Sequence, residues 1–238
     1  MNVLCILQAR MSSTRLPGKV LKPILGQPML ARQLERIRRA RRIDRVMVAT
    51  SIEPGDAAIE SLCGALGVEC FRGSLADVLD RYYQAALRYR PAHVMRLTGD
   101  CPLTDPEILD RLVEMHEREG NDYSANVHER TYPDGLDAEV FKFAMLEKAW
   151  ANGHSALERE HVTPYMYRTG PDCKRGALKD SMDRSSLRWT VDYPEDFVFV
   201  SKIFGHLYPV KPTFNTADVH RLLAEQPELS SINSRGNT

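Results

Sequence analysis

A dense group of cationic and hydroxyl side chains follows the first apolar run of the chain, residues 3–7. Planar guanidinium forks and a lysine ammonium suit the oxygens of a polyphosphate. Several such donors together stabilise the negative charge that develops on a leaving pyrophosphate. The segment lacks the Gly-x-x-x-x-Gly-Lys-Ser/Thr spacing of a Walker P-loop. An ordinary basic surface loop is the alternative, but cations directly after a first strand favour a phosphate site. The group comprises Arg10, Ser12, Ser13, Thr14, Arg15 and Lys19.

Two aspartates each follow an apolar run that is predicted to be a strand. Asp100 comes after residues 93–97, and Asp192 comes after residues 187–191. Magnesium takes one or two carboxylates together with phosphate oxygens, so these aspartates and the basic loop indicate a metal-bridged nucleoside triphosphate. Each also has a structural interpretation. Asp100 could hydrogen-bond its own turn, and Asp192 could cap the helix that Pro194 opens.

Two further polar segments supply candidate contacts for a second substrate. In residues 132–139, acidic side chains are interleaved with Gly and Leu before a predicted strand. They suit sugar hydroxyls or a ligand amine, and a solvated turn is the alternative. Residues 158–164 are predicted to be helical, and their Arg and His suit an acidic substrate, although a lone His is as often structural. The candidates for this role are Tyr132, Asp134, Asp137, Glu139, Arg159 and His161.

Alternating strand-like and helix-like runs must position these groups. Through the first 120 residues, helical apolar spacing alternates with short apolar strands, which predicts parallel β-α-β units and helices on both faces of a sheet. Ligands bind in such sheets beyond the carboxyl ends of the strands. The predicted strands are 3–7, 46–50, 68–71 and 93–97, and the predicted helices are 28–41, 57–66, 75–89 and 107–119.

After Gly120 the pattern becomes less regular, with strands predicted at 122–127, 136–141 and 187–191. This change predicts that the sheet turns mixed and that a small second lobe grows over the edge of the first half. We expect one domain over residues 1–229, with a nucleotide-binding half (1–120) and an acceptor-binding half (121–229). The polar tail 230–238 is expected to fray.

Composition excludes several classes of protein. The 238 residues balance 32 Lys and Arg against 32 Asp and Glu, so no global field draws the chain to nucleic acid or to an anionic membrane. The arginines of 36–45 are interpreted as a solvated face. No apolar run approaches the roughly 20 residues of a membrane span, and no secretory signal is expected. The five cysteines and seven histidines lack disulfide or zinc spacing. We therefore expect a cytoplasmic protein without structural zinc.

The motifs together resemble, in order over about residues 3–200, the cytidylyltransferases that make CMP-activated acidic sugars. These are the acylneuraminate and 3-deoxy-manno-octulosonate enzymes, and the likeness is strongest to the SpsF-like branch of spore coat polysaccharide biosynthesis. The segments that carry the resemblance are 8–19 (QARMSSTRLPGK), 48–51 (VATS), 71–73 (FRG), 77–79 (DVL), 98–103 (TGDCPL), 132–137 (YPDGLD) and 191–196 (VDYPED).

The resemblance implies an α/β, three-layer Rossmann-like nucleotide-diphospho-sugar transferase fold with a mixed, mostly parallel sheet. It implies Mg2+-dependent transfer of CMP from CTP to an acidic sugar, with release of pyrophosphate, by a homodimer that serves surface polysaccharide synthesis. The residues implied in catalysis are Arg10, Arg15, Lys19 and Asp100, and those implied in holding Mg2+ are Asp100 and Asp192. The residues implied in nucleotide binding are Gln8, Ala9, Arg10, Ser12, Ser13, Arg15, Lys19, Thr50, Ser51, Arg72, Gly73, Thr98 and Asp100. The acceptor would face the second set of polar residues described above, from Tyr132 to His161.

Two features leave the acceptor open. Asp192 is followed by Tyr193-Pro194-Glu195, which is closer to the octulosonate pattern than to the acid pair of the sialic acid enzymes. Residues 142–186 match neither group well. Three other functions stay open: a glycosyltransferase with a nucleotide-sugar donor, a uridylyl- or guanylyltransferase, and a non-catalytic nucleotide-binding protein. The glycosyltransferase is disfavoured because Asp134 and Asp137 lack the Asp-x-Asp spacing.

Overall fold

The first strand, β1 (Val3–Gln8), lies in the middle of a seven-stranded sheet. A computed structural model describes residues 2–168 and 172–234. Residues 3–7 are fully buried, as expected for an unbroken apolar strand that is covered on both faces. The strand pairs in parallel with both of its neighbours, and the register places Gln8 beside Ala49 on one side and Thr98 on the other.

The sheet is mixed and mostly parallel. Its order is β5-β4-β1-β6-β8-β7-β9, and β8 pairs antiparallel with both of its neighbours. This is the predicted α/β class, with the predicted change to a mixed sheet in the second half. A separate antiparallel hairpin is formed by β2 (Pro23–Ile24) and β3 (Gln27–Pro28). The remaining strands are β4 (Arg45–Ser51), β5 (Glu69–Gly73), β6 (His93–Thr98), β7 (Tyr123–Ala125), β8 (Glu139–Lys142) and β9 (Arg175–Ala177).

Helices cover both faces of the sheet, and each face has its own hydrophobic core. One core packs the first, second, fourth and last two α-helices against the sheet, and the other packs the third, fifth and seventh. The arrangement is three-layered, as predicted. The helices are α1 (Met29–Ile37), α2 (Ala57–Ala65), α3 (Val78–Leu87), α4 (Pro106–Glu119), α5 (Phe143–Asn152), α6 (Ala156–His161), α7 (Pro164–Arg168), α8 (Pro194–Leu207) and α9 (Thr216–Glu225). Short 3-10 helices lie at Lys19–Leu21, Pro54–Asp56 and Pro227–Ser231.

Local side-chain chemistry sets the ends of the helices. Helix α4 begins as predicted, because the Asp105 side chain accepts a hydrogen bond from Glu107 N (2.9 Å) and Pro106 takes the first helical position. Helix α1 ends at Ile37, four residues earlier than predicted, and the carboxylate of Asp110 then accepts from the backbone of residues 41 and 42. The prediction that the arginines of 36–45 form a solvated face is wrong at Arg36, which is buried and stacks on a phenylalanine ring.

The prediction of a strand at 187–191 is wrong. The segment forms one isolated bridge, between Arg188 and Asp134. Its backbone is held instead by Asp134 O, which accepts from Trp189 N (2.6 Å) and Thr190 N (2.9 Å), and by Asp100 O, which accepts from Val191 N (2.8 Å). These bonds to two different loops prevent a regular strand ladder, yet they bring residue 192 beside residue 100.

Part of the tail that was expected to fray is packed. The side chain of Asn233 is buried, and its Nδ2 donates to Arg188 O (2.9 Å) and Asp196 Oδ1 (3.2 Å). Residues 235–238 lie outside the described residues. Among the helices that the structure describes, none has the length and apolar character needed to cross a membrane.

Candidate active site

A cleft of about 630 Å3 lies beyond the carboxyl ends of β1 and β6. Two loops meet at the floor of the cleft, where Gly99 N donates a hydrogen bond to Gln8 O (2.8 Å). A Cβ at position 99 would lie 3.1 Å from both Ala9 Cβ and Gln8 O, so glycine permits this approach. The predicted residues that line the cleft are Gln8, Ala9, Arg10, Ser13, Arg15, Lys19, Thr98, Asp100, Arg159, His161 and Asp192.

The ammonium of Lys19 joins both predicted aspartates at one wall of this cleft. Gly18, at φ 69°, turns the basic loop into its 3-10 helix and directs Lys19 inward. The Lys19 side chain is buried, and its Nζ lies 3.2 Å from Asp100 Oδ2 and 3.1 Å from Asp192 Oδ1. It also donates to Val191 O (2.6 Å). All three donor positions of the ammonium therefore meet oxygens of the same wall.

Asp192 is the most heavily paired carboxylate of the site. Its Oδ1 also meets Arg15 Nη2 (2.7 Å), and its Oδ2 accepts from Arg188 Nη2 (2.8 Å). Burial disfavours the charged form, but the three cations outweigh it and hold the pKa of Asp192 below its usual value. Asp192 therefore stays ionised. The helix cap expected for Asp192 belongs to Tyr193, while Asp196 Oδ2 accepts from the backbone of residues 192 and 193.

Arg188 is an ion-pair partner of Asp192 that was not predicted from the sequence. Its guanidinium bonds three carboxylates, those of Asp134 (3.0 Å), Asp192 (2.8 Å) and Asp196 (3.1 Å). Asp196 is fully buried. The signal in the sequence was an arginine four positions before one aspartate and eight before another, but this spacing indicates an ion pair only once the backbone path is known.

The paired aspartates fit a hard divalent cation. Lys19 Nζ already bridges their carboxylates, so the two groups lie close enough to share one cation. Among the described residues, no cluster of three or more His, Cys, Asp or Glu side chains could hold a metal. Two carboxylates that need further oxygens from a phosphate match the preference of Mg2+.

Five residues predicted to bind the nucleotide lie outside the wall of the cleft, and three of them support its framework. Thr50 and Ser51 are buried and donate to Asp56 Oδ2, whose other oxygen accepts from Met11 N (2.7 Å) in the basic loop. The guanidinium of Arg72 donates to Ser51 O (3.0 Å) and to the carbonyl of residue 53. Gly73 ends β5, and Ser12 is exposed on the basic loop.

A second polar pocket, of about 230 Å3, adjoins the cleft and shares Thr98 and His161 with it. Glu139 forms part of its wall and is fully engaged. Its carboxylate accepts from Tyr123 Oη (2.6 Å) and Thr163 Oγ1 (2.7 Å) and is ion-paired with Arg96. Burial works against the charge, but Arg96 holds the pKa of Glu139 below its usual value. Glu139 therefore shapes the pocket.

The other residues predicted to face the acceptor lie in four different surroundings. Asp137 lines the second pocket, where Arg130 holds it with two bonds of 2.7 and 2.9 Å. Asp134 is bound to Arg188, and burial together with Asp137 raises its pKa. Tyr132 is buried in the hydrophobic core. Arg159 lines the large cleft.

Comparison with known proteins shows the family of the chain. Residues 4–178 match the family described as cytidylyltransferase. The chain belongs to the cytidylyltransferase family. It is 32% identical to the spore coat polysaccharide biosynthesis protein SpsF of Bacillus subtilis over 240 residues, 97% of each chain. It is 34% identical to a 3-deoxy-manno-octulosonate cytidylyltransferase of an Anaeromyxobacter species, over 70% of this chain and 72% of the relative.

A solved structure shows the same fold. A cytidylyltransferase from Leptospira borgpetersenii superposes with a TM-score of 0.92 at 32% identity, over 100% of this chain and 99% of that one. The predicted Rossmann-like transferase fold and the prediction of a nucleotidyltransferase are therefore confirmed.

Proposed function

We propose that this cytidylyltransferase moves CMP from CTP to an acidic sugar of the nonulosonic or octulosonic type and releases pyrophosphate. The observation that carries the proposal is the meeting of Lys19, Asp100 and Asp192 at the wall of a cleft that adjoins a second polar pocket. A triphosphate suits the larger space, and an acceptor with several hydroxyls suits the smaller one.

The reaction exchanges a phosphoanhydride bond of CTP for a phosphate ester bond to the sugar. The anomeric oxygen of the acceptor bonds to the α-phosphorus, the bond from that phosphorus to the bridging oxygen of pyrophosphate breaks, and the hydroxyl proton passes to solvent. Arg10, Arg15 and Lys19 line the cleft and would neutralise the charge on the departing pyrophosphate. Little covalent chemistry falls to side chains in such a transfer, so alignment and charge stabilisation supply the rate.

Asp100 and Asp192 are the residues that would hold Mg2+. The bound cation would neutralise phosphate oxygens and polarise the α-phosphorus. Lys19 bridges the same two carboxylates, so it holds both in place before the nucleotide enters. Ionised carboxylates are the form that binds a hard cation.

The second pocket offers suitable groups for the acceptor. Arg96, His128 and His161 can donate to a carboxylate, and Asp137 and Thr163 can bond hydroxyls. The curated relative that acts on 3-deoxy-manno-octulosonate supports an acidic eight-carbon sugar. SpsF, by its name, supports a role in polysaccharide supply. A cytoplasmic homodimer is part of the proposal, because the five cysteines are free thiols and related enzymes are commonly dimers.

The test is a pyrophosphate-release assay with Mg2+. CTP, UTP, GTP and ATP are each paired with a set of nonulosonic and octulosonic acids and with neutral hexoses as controls. We expect release that requires both CTP and an acidic sugar, and a CMP-sugar product by mass spectrometry. Release with UTP or GTP in preference to CTP, or with a neutral hexose in preference to the acids, would contradict the proposal.

A further inference from the structure

A further arginine lines the cleft and plays no part in the network described above. Arg81, on α3, is 2% exposed and lines the large cleft. Its Nε and Nη1 atoms are buried, and no group in the described residues accepts a hydrogen bond from them. Burial lowers the pKa of Arg81, and Arg10 adds repulsion. A buried, unpaired guanidinium is costly, which indicates that a ligand supplies its acceptors.

Local packing holds Arg81 in this position. Gly73 lies against the side chain, and a Cβ there would lie 3.1 Å from Arg81 Cγ and 3.2 Å from its Cβ. Tyr82, the next residue of α3, donates to Ile6 O (3.2 Å) and Leu97 O (3.3 Å) and so fixes the helix over β1 and β6. The guanidinium is therefore placed by rigid elements, as a recognition group should be.

A second residue of the cleft has a buried polar atom that lacks a partner among the described residues. The Oε1 of Gln8, at the end of β1, is buried and accepts no hydrogen bond from the described residues. Gln8 and Arg81 line the same cleft, together with Leu75, Ala76 and Val78 at the start of α3. Apolar surface beside a few unsatisfied polar groups is the usual lining of a site for a flat organic ring.

We propose that Arg81 and Gln8 read the base of the nucleotide and thereby select cytosine. Arginine donates hydrogen bonds and accepts none. Cytosine presents two adjacent acceptors, N3 and O2, whereas uracil presents an N–H donor at N3. A guanidinium facing this edge therefore pairs with cytosine and repels the N3 proton of uracil. The carbonyl of Gln8 suits the exocyclic amine of cytosine.

This inference rests on the proposed use of CTP and gives it a physical basis. A phosphate role for Arg81 is the alternative. Two of the cations assigned to phosphate, Arg15 and Lys19, are gathered around Asp192. Arg81 instead packs against Gly73 and lines the cleft together with the apolar residues 75, 76 and 78. A site that hydrogen-bonds a specific edge discriminates strongly, because the wrong base leaves buried polar groups unpaired.

The experiment is a titration calorimetry series with CTP, UTP, GTP and pyrophosphate, each with Mg2+. The variants are Arg81→Met, Gln8→Leu and Gly73→Ala, which displaces Arg81 without removing its charge. Arg88→Met is the matched control, because Arg88 follows the same helix but stacks on Phe71 away from the cleft. Thermal unfolding of each variant verifies that it is folded.

We expect Arg81→Met to lower the ratio of CTP to UTP affinity by about 10- to 100-fold and to leave pyrophosphate affinity within about twofold. Gln8→Leu and Gly73→Ala should lower the ratio less, and Arg88→Met should not change it. If the wild type prefers CTP and Arg81→Met keeps that preference, this inference alone is overturned. Equal losses for CTP and pyrophosphate would assign Arg81 to phosphate and would also overturn it. No preference for CTP in the wild type would overturn both this inference and the proposed function.

Discussion

The ammonium of Lys19 lies within 3.2 Å of Asp100 Oδ2 and 3.1 Å of Asp192 Oδ1, and it joins the N-terminal loop to two distant loops of the chain. The contact has two consequences. It helps to hold the pKa of Asp192 below its usual value against the effect of burial, and it places a cation where the phosphates of a nucleotide would meet the aspartates. Electrostatic preorganisation of this kind lowers a barrier without rearrangement during the reaction.

Replacing Lys19 by Met should weaken the binding of a triphosphate more than the binding of a monophosphate. Because the ammonium is assigned to the departing pyrophosphate, we expect the affinity for CTP to fall by at least about tenfold, as is typical for loss of a charged hydrogen bond, and that for CMP to fall much less. Calorimetric titration with both nucleotides measures the difference. Lys22→Met is the control, since Lys22 contacts the ring of Phe197. Equal losses for the two nucleotides would contradict the assignment.

Asp100→Asn preserves the shape of the side chain and removes its charge. Turnover should fall by at least about 100-fold, in line with the loss of an electrostatic stabiliser, and the Mg2+ concentration for half-maximal activity should rise. Initial rates across a Mg2+ series give both quantities. Asp110→Asn provides the comparison, because Asp110 bonds the backbone after α1. Wild-type turnover in Asp100→Asn would remove Asp100 from the metal site.

Arg188→Met should destabilise the protein as well as reduce activity. The change removes a cationic partner from three carboxylates, and the fully buried Asp196 keeps only hydrogen bonds from Asn233 and the backbone. Breaking a buried ion pair costs about 3–5 kcal/mol. Arg184→Met is matched to it, because Arg184 pairs with Asp180 near the surface and should cost less than about 1 kcal/mol. Urea unfolding compares the two variants; similar losses would argue against the role of Arg188 as the anchor of Asp192.

Gly135→Ala tests the close approach between residues 135 and 189–190. A Cβ at Gly135 would lie 2.3 Å from Thr190 N, and its φ is 112°. At Gly26, φ is 74° and a Cβ would meet nothing within 4 Å, so Gly26→Ala isolates the cost of backbone strain, about 1–2 kcal/mol. We expect a clearly larger loss of unfolding free energy for Gly135→Ala, and reduced activity because the path to Asp192 shifts. Equal losses in the two variants would show that the contact is relieved cheaply.

Stability should fall on mild acidification because of a buried histidine pair. His116 Nε2 lies 3.1 Å from His93 Nδ1, and burial lowers the pKa of His116 to about 4. Burial likewise lowers the pKa of His93. Glu117 opposes this effect, and Lys142 adds to it. The unfolded chain binds protons below about pH 6.5, while the native His116 stays neutral until about pH 4.

The expected loss between these two pH values is up to about 3 kcal/mol from His116. Urea unfolding at pH 7.5, 6.5, 5.5 and 4.5 measures it. In His116→Gln the slope of unfolding free energy against pH should flatten over this range, whatever the variant's stability at pH 7.5. An unchanged slope would mean that other groups carry the dependence.

The regular elements could be predicted from the sequence because their signals are local. Asp105 and Pro106 mark the start of α4 within three residues, and the apolar run of β1 indicates a buried parallel strand without reference to the rest of the chain. The carboxyl-end position of Gln8 and Thr98 then follows from the sheet, so the place of the cleft was predictable.

The supports of the site were not predictable, because they depend on contacts between distant segments. Arg188 binds Asp134, 54 positions away, and the irregular path of 187–191 depends on Asp134 O and Asp100 O. Thr50 and Ser51 were expected near the nucleotide, yet both bond to Asp56. Arg81 carries no motif in the sequence. Its significance lies in the absence of a partner among the described residues.

The bond from Lys19 Nζ to Val191 O spans 172 positions of the chain. A ribosome makes the chain from its N-terminus, so the basic loop emerges long before the segment that completes its coordination. Contacts of such high sequence separation form late in folding. The growing chain therefore carries a cationic loop without its carboxylate partners, and the proposed nucleotide site is completed only when residues 188–196 emerge.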